Sequence, residues 1–213
     1  MELSTSCILE RCLEQEEQIH WGTSLFSLDV KEDLHVRHYK WRLLLLITLL
    51  TGLLMWTYSF ISLFFVEDPT LAQIGFTCSI LHALSPLVYR WTRSMPVAAY
   101  NMVISGMVFQ FSFSFFTGGF FSPTLIWFAV LPLIVGLLTK RFHAVVWTFL
   151  SVGAYMLMFL FQNKGLVPES SISELGRTLA QFMIGLGLIG LVGGFTVFFL
   201  ELAYFYHHKP KDP

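Results

Sequence analysis

The chain has 213 residues, 55% of them hydrophobic and only 13% charged, with 13 Lys and Arg against 14 Asp and Glu for a net charge of −1. A soluble domain carries about 25% charge, so this composition belongs to a membrane protein. The even balance of charge argues against nucleic acid as a partner.

In chain order, residues 1–40 form an arm rich in acid, with Glu2, Glu10, Glu14, Glu16, Glu17, Asp29, Glu32 and Asp33, that turns basic towards Arg37 and Lys40. Cys7, Ile8, Cys12 and Leu13 recur at helical spacing, which predicts a short amphipathic helix over Ser6–Ile19. The first apolar run begins only at Leu43, too late for a removable leader, so it is expected to stay in the mature protein. Trp41 and Arg42 then suit an interfacial anchor, where an amphipathic ring and a snorkelling cation are both comfortable.

From Trp41 to Tyr206 the chain reads as an all-α integral membrane domain, a six-helix bundle. A helix that crosses a bilayer needs about 20 apolar residues, and six runs approach that length: Leu43–Val66, Leu71–Tyr89, Pro96–Phe116, Pro123–Thr139, Phe142–Phe161 and Thr178–Leu200. The charge between them alternates. Arg37, Lys40 and Arg42, then Arg90 and Arg93, then Lys140 and Arg141, then Lys209 and Lys211 mark one side, while Glu67 and Asp68, the uncharged TGGFFSP turn and the mixed Lys164–Arg177 loop mark the other. By the positive-inside rule both termini face the cytoplasm, N-in and C-in. Residues 207–213 form a short cytoplasmic tail.

Chemistry within the spans is sparse. His82 is the one ionisable group at mid-span, with Ser79 and Ser85 within a turn and Pro86 a turn on, and it reads as a hydrogen-bonded structural histidine before it reads as a functional one. No HExxH, GxSxG or P-loop occurs and no base stands near a nucleophile, so no enzyme activity is expected. The cysteines, Cys7, Cys12 and Cys78, show no C-x-x-C spacing, and neither a disulfide, a metal site nor a cofactor is expected. His35, His38, His207 and His208 could meet on one face, a weak metal alternative.

Packing signals are stronger. In the sixth span Gly187, Gly190 and Gly194 recur at i, i+3 and i+7, a flat seam that lets another backbone approach, either within the bundle or in a homodimer. In the third span Gly106, Gln110, Ser114 and Thr117 form a small, polar stripe, and Phe109, Phe113 and Phe116 an aromatic one. Gly118 and Gly119 can adopt positive φ and end that helix, Ser122 can cap the next, and Pro123 fits its first turn. Turn chemistry leaves Phe120, Phe121 and Trp127 unexplained, and an apolar concavity with a few placed polar groups is the usual form of a small-molecule site. Gln110, Ser114, Thr117, Gly118, Gly119, Ser122, Pro123 and Trp127 are the candidate ligand-binding residues.

The run from Thr117 through Gly118, Gly119, Phe120, Phe121 and Ser122 to Pro123, followed by Trp127 and Pro132 and preceded by Arg90-Trp91-Thr92, resembles the six-helix receptor domain of bacterial sensor histidine kinases, also found ahead of adenylate and diguanylate cyclases. One branch of that family senses diffusible quorum signals. The resemblance implies a multi-pass receptor of the bacterial inner membrane, with Thr117, Gly118, Gly119, Ser122 and Pro123 near the signal. The relay would run through the last helix to a cytoplasmic signalling protein or output domain. The departure is at the end, where Tyr206-His207-His208 leads to Lys209-Pro210-Lys211-Asp212-Pro213 in place of a connector and catalytic domain. The expectation is therefore a non-enzymatic membrane sensor for a small, largely apolar signal. The alternatives are a structural or assembly subunit that buries the glycine seam against another membrane protein, and a small facilitator for neutral solutes.

Overall fold

The computed structural model describes residues 34–66, 69–168 and 172–207. The expected helix Ser6–Ile19, with Cys7 and Cys12, lies outside the described residues, as do most of the arm and the tail. The chain divides into a unit of Met1–His38 and a unit of Tyr39–Pro213, and the site lies in the second.

The described chain is helical: α1 (Leu34–Phe65), α2 (Pro69–Ala83), α3 (Ser85–Thr92), α4 (Met95–Phe116), short 3-10 stretches at Gly119–Phe121 and Pro123–Ala129, α5 (Val130–Leu138), α6 (Arg141–Asn163) and α7 (Glu174–His207). Five stretches are long and apolar enough to cross a bilayer: Arg37–Phe65, Pro69–Thr92, Met95–Phe116, Arg141–Asn163 and Glu174–Val197. That is the pattern of a helical membrane bundle. The expected fourth span differs, because Pro123–Leu138 is apolar but shorter and its first part winds as 3-10 helix. The cause is local. Gln110 Nε2 donates to the Thr124 carbonyl, an acceptor that an α-helix would offer to its own fourth following residue.

Hydroxyl groups in the spans are accommodated by the backbone. Ser59, Ser62 and Ser79 each donate to the carbonyl four residues back, at 2.8, 2.9 and 2.7 Å, so none of these three hydroxyls faces hydrocarbon alone. Pro86 has no N–H for the His82 carbonyl, and the break between α2 and α3 follows. Ser85 Oγ takes up that carbonyl at 2.7 Å, which compensates for the lost backbone bond.

Helix α4 lies at the centre, packed against α2, α3 and α5, with Ala98, Ala99, Met102 and Val103 buried. At one end of the bundle Val66 and Ile172 form an antiparallel bridge and Ser173 N–H donates to the Phe65 carbonyl at 2.9 Å, holding the end of α1 against the start of α7. Farther along, Tyr58 Oη donates to the Ala180 carbonyl at 3.3 Å. The glycine seam continues this contact. A Cβ on Gly187 would lie 2.6 Å from Leu54 Cδ1, one on Gly190 3.6 Å from Leu50 Cδ1, and one on Gly194 3.7 Å from Leu46 Cδ2. Leu54, Leu50 and Leu46 are four residues apart on one face of α1, so the seam is filled from within the chain.

Candidate functional site

The turn after α4 is built from its own polar groups. Gly118 at φ 123° and Gly119 at φ 62° reverse the chain. Below them Thr117 Oγ1 meets Ser122 Oγ at 2.9 Å, Ser122 Oγ meets Thr124 Oγ1 at 2.8 Å, and Thr124 Oγ1 meets Ser114 Oγ at 2.8 Å. Thr117 Oγ1 also donates to the Phe113 carbonyl at 2.7 Å. Four hydroxyls thus form one connected, buried chain. Ser122, expected as a helix cap, makes no side-chain cap bond and serves as a link in this chain instead. Pro123 does occupy the first position of the following helical stretch.

The rings sort into different roles. Phe120 packs on α6 against Tyr155 and Phe159, with centroids 5.2 and 5.3 Å away, and its N–H donates to Gln162 Oε1 at 3.2 Å. Phe121 is exposed. Trp127 turns inward.

There it walls a cavity of about 60 Å³. Helix α1 contributes Thr51, Leu54, Met55 and Tyr58; α2 contributes His82; α4 contributes Met102, Gly106, Phe109 and Gln110; α5 contributes Val130, Leu131 and Ile134. Of the eight expected ligand-binding residues, Gln110 and Trp127 line this cavity. Ser114, Thr117, Gly118, Gly119, Ser122 and Pro123 belong to the turn above it. The expected polar stripe of α4 therefore divides, with Gly106 and Gln110 facing the cavity and Ser114 and Thr117 held in the hydroxyl chain. Missing from the expectation were Thr51 and Tyr58. They stand seven apart and so share a face of α1, a spacing visible in the sequence.

Most polar groups in the wall are already engaged. His82 Nδ1 lies 3.0 Å from the Met102 carbonyl, which can only accept, so Nδ1 carries a proton. His82 Nε2 lies 2.7 Å from Thr51 Oγ1, which is itself 2.6 Å from the Ile47 carbonyl. The histidine thereby pins α2 between α1 and α4. Gln110 is held by the Thr124 carbonyl. Trp127 is the exception. It is only 8% exposed, and its Nε1–H is enclosed by protein and makes no close hydrogen bond. Its polar neighbour is the Tyr58 hydroxyl, which donates to the Ala180 carbonyl and keeps its oxygen lone pairs available to the indole. On its other side the indole abuts α7, where a Cβ at Gly187 would lie 3.0 Å from Trp127 Cζ2.

Among the described residues no group of three or more His, Cys, Asp or Glu could hold a metal ion. His208, from the weak metal alternative, lies outside the described residues. Cys78 is buried and unpaired. Compared with known proteins, the chain matches no family model, no curated protein and no solved structure.

Proposed function

We propose that this chain is a non-enzymatic membrane sensor module that admits a small, largely apolar molecule to the cavity beneath the TGGFFSP turn and relays its presence through α7 to a cytoplasmic partner or output domain. The observation that carries the reading is the position of Trp127, at once a wall of the cavity and the neighbour of Gly187 on the last helix. A ring that shifts with occupancy has no free space on its α7 side, so the helix must follow. The motif resemblance to six-helix receptor domains of bacterial sensor kinases supports the same reading and suggests the bacterial inner membrane as its place.

Six crossings with both termini inside complete this proposal. The seven residues of 3-10 helix and nine of α-helix in Pro123–Leu138 reach about 27 Å at rises of about 2.0 and 1.5 Å per residue, close to the roughly 30 Å hydrocarbon core. The tighter winding lengthens a segment that would fall short as a plain α-helix.

The test is disulfide trapping between cysteines placed at Leu46 and Gly194, in vesicles with and without an apolar extract of spent culture medium. The proposal expects a changed trapping rate that disappears in Trp127→Ala. A rate indifferent to extract in both proteins counts against a sensor. Co-purification with a fixed membrane partner would then favour the assembly-subunit alternative, although the seam that motivated it is occupied by α1.

A further inference from the structure

We infer that one end of the bundle carries a docking surface for an anionic phospholipid whose headgroup bears two phosphates, one held at each of two basic corners. The corner between α3 and α4 presents Arg90 and Arg93, and the corner between α5 and α6 presents Lys140 and Arg141; all four side chains are exposed. A contact between α4 and α6 sets the corners side by side. Tyr100 Oη and His143 Nδ1 are hydrogen-bonded, and the Tyr100 ring also meets Trp147, with centroids 6.0 Å apart. Tyr100 stands seven residues past Arg93 and His143 two past Arg141, so at 1.5 Å per residue each corner falls within about 10 Å of that contact along its helix.

Charge and backbone both point to an anion. The chain holds no Asp or Glu between Asp68 and Glu169, so the helices that carry these cations offer them no counter-charge. Arg93 closes α3 at φ 55°, the one non-glycine residue with positive φ among the described residues. Glycine would adopt that conformation freely and Arg bears a strain there, so what Arg supplies is its side chain. The rings decide for lipid over a soluble anion. Trp91 and Phe142, one beside each cation pair, are 73% and 72% exposed, and such rings are at home at headgroup level, where a phosphate and acyl chains meet. A free phosphate would leave them in water. Basic recesses between spans are where multiply charged headgroups bind, and two cation pairs match two phosphates. The inference needs the helical membrane bundle and stands apart from the sensor reading.

The test is a lipid titration of the full chain in neutral detergent, with bound lipid counted by native mass spectrometry. The probes are tetraoleoyl cardiolipin, with two phosphates, dioleoyl phosphatidylglycerol, with one, and zwitterionic dioleoyl phosphatidylcholine. A basic residue near an anionic lipid is worth about fivefold in affinity. The wild type should therefore prefer cardiolipin to phosphatidylglycerol by about 25-fold, the worth of a second cation pair, and bind phosphatidylcholine most weakly. Removing one corner, as Lys140→Gln with Arg141→Gln, should make the two anionic lipids equal. Arg93→Gly should lower the preference by about fivefold and leave the unfolding midpoint unchanged or raised, because glycine takes φ 55° without strain; a purely structural Arg93 would lose stability instead. Lys164→Gln, at the far end of α6, should alter neither. A cardiolipin preference that survives the loss of one corner overturns the inference, since a diffuse positive field then accounts for it. So does displacement of cardiolipin by an equal concentration of inorganic pyrophosphate, which would make this a site for a soluble anion.

Discussion

Two neighbouring regions of this bundle treat polar groups in opposite ways. In the turn from Thr117 to Thr124 the hydroxyls bond to one another, each within 2.9 Å of the next. In the cavity below it, lined mostly by apolar side chains, one indole N–H makes no close hydrogen bond. The polar-rich segment is thus self-contained, and the apolar one is not fully packed. Density of polar residues marks where the chain is held together, while space left between apolar side chains marks where something else can bind.

The contrast breaks most visibly if the turn tolerates change. Gly119 sits at φ 62°, and a Cβ there would collide with Gln162 Oε1 and lie 2.7 Å from Val167 Cγ1. Strain and overpacking together make Gly119→Ala cost about 2–4 kcal/mol, read as a lowered unfolding midpoint in mixed micelles. Next in size is Thr124→Val, which keeps the shape of the side chain and removes the hydroxyl shared by Ser114 and Ser122. Leaving those groups short of a partner costs about 1–3 kcal/mol and should leave binding in the cavity unaltered. If Thr124→Val abolished binding without unfolding, the turn and the cavity would be one site.

The seam gives an effect read as distance. Gly187→Leu places atoms where Leu54 and Trp127 already lie, so spin labels at the exposed positions Leu49 on α1 and Leu200 on α7 should move apart by about 1–3 Å, on the scale of helix shifts at packed interfaces. An unchanged distance would mean that Trp127 and α7 are not mechanically joined. Smaller still is His82→Gln. Interhelical hydrogen bonds in membranes average about 0.6 kcal/mol and rarely exceed about 1.7, so a loss within that span is expected from the Thr51 and Met102 contacts. Proton-driven uptake into vesicles should be absent in both wild type and variant.

How much of this could be read beforehand follows from which interactions are local. The length of five of the spans and the reversal at Gly118 and Gly119 depend on composition and backbone chemistry within a few residues, and they are found where the sequence placed them. The 3-10 winding after Pro123 depends on Gln110, thirteen residues earlier and on another helix, so no local pattern announced it. The same holds for the site. Gln110 and Trp127 could be named from the motif and its surroundings, but whether a serine binds a ligand or another serine is decided by folding. Thr51 and Tyr58 joined the wall because α1 faces α4, a pairing that hydropathy does not encode.

The most direct test of the contrast is the stability of Trp127→Phe in lipid nanodiscs with no added ligand. The substitution keeps an aromatic ring against Gly187 and removes only the indole donor with part of the ring. A donor that makes no close hydrogen bond adds little to stability, so its removal should change the unfolding free energy by less than about 1 kcal/mol, in contrast to the loss in Thr124→Val measured beside it. A loss of about 2 kcal/mol or more in Trp127→Phe would show that the indole N–H is already satisfied and would contradict the account.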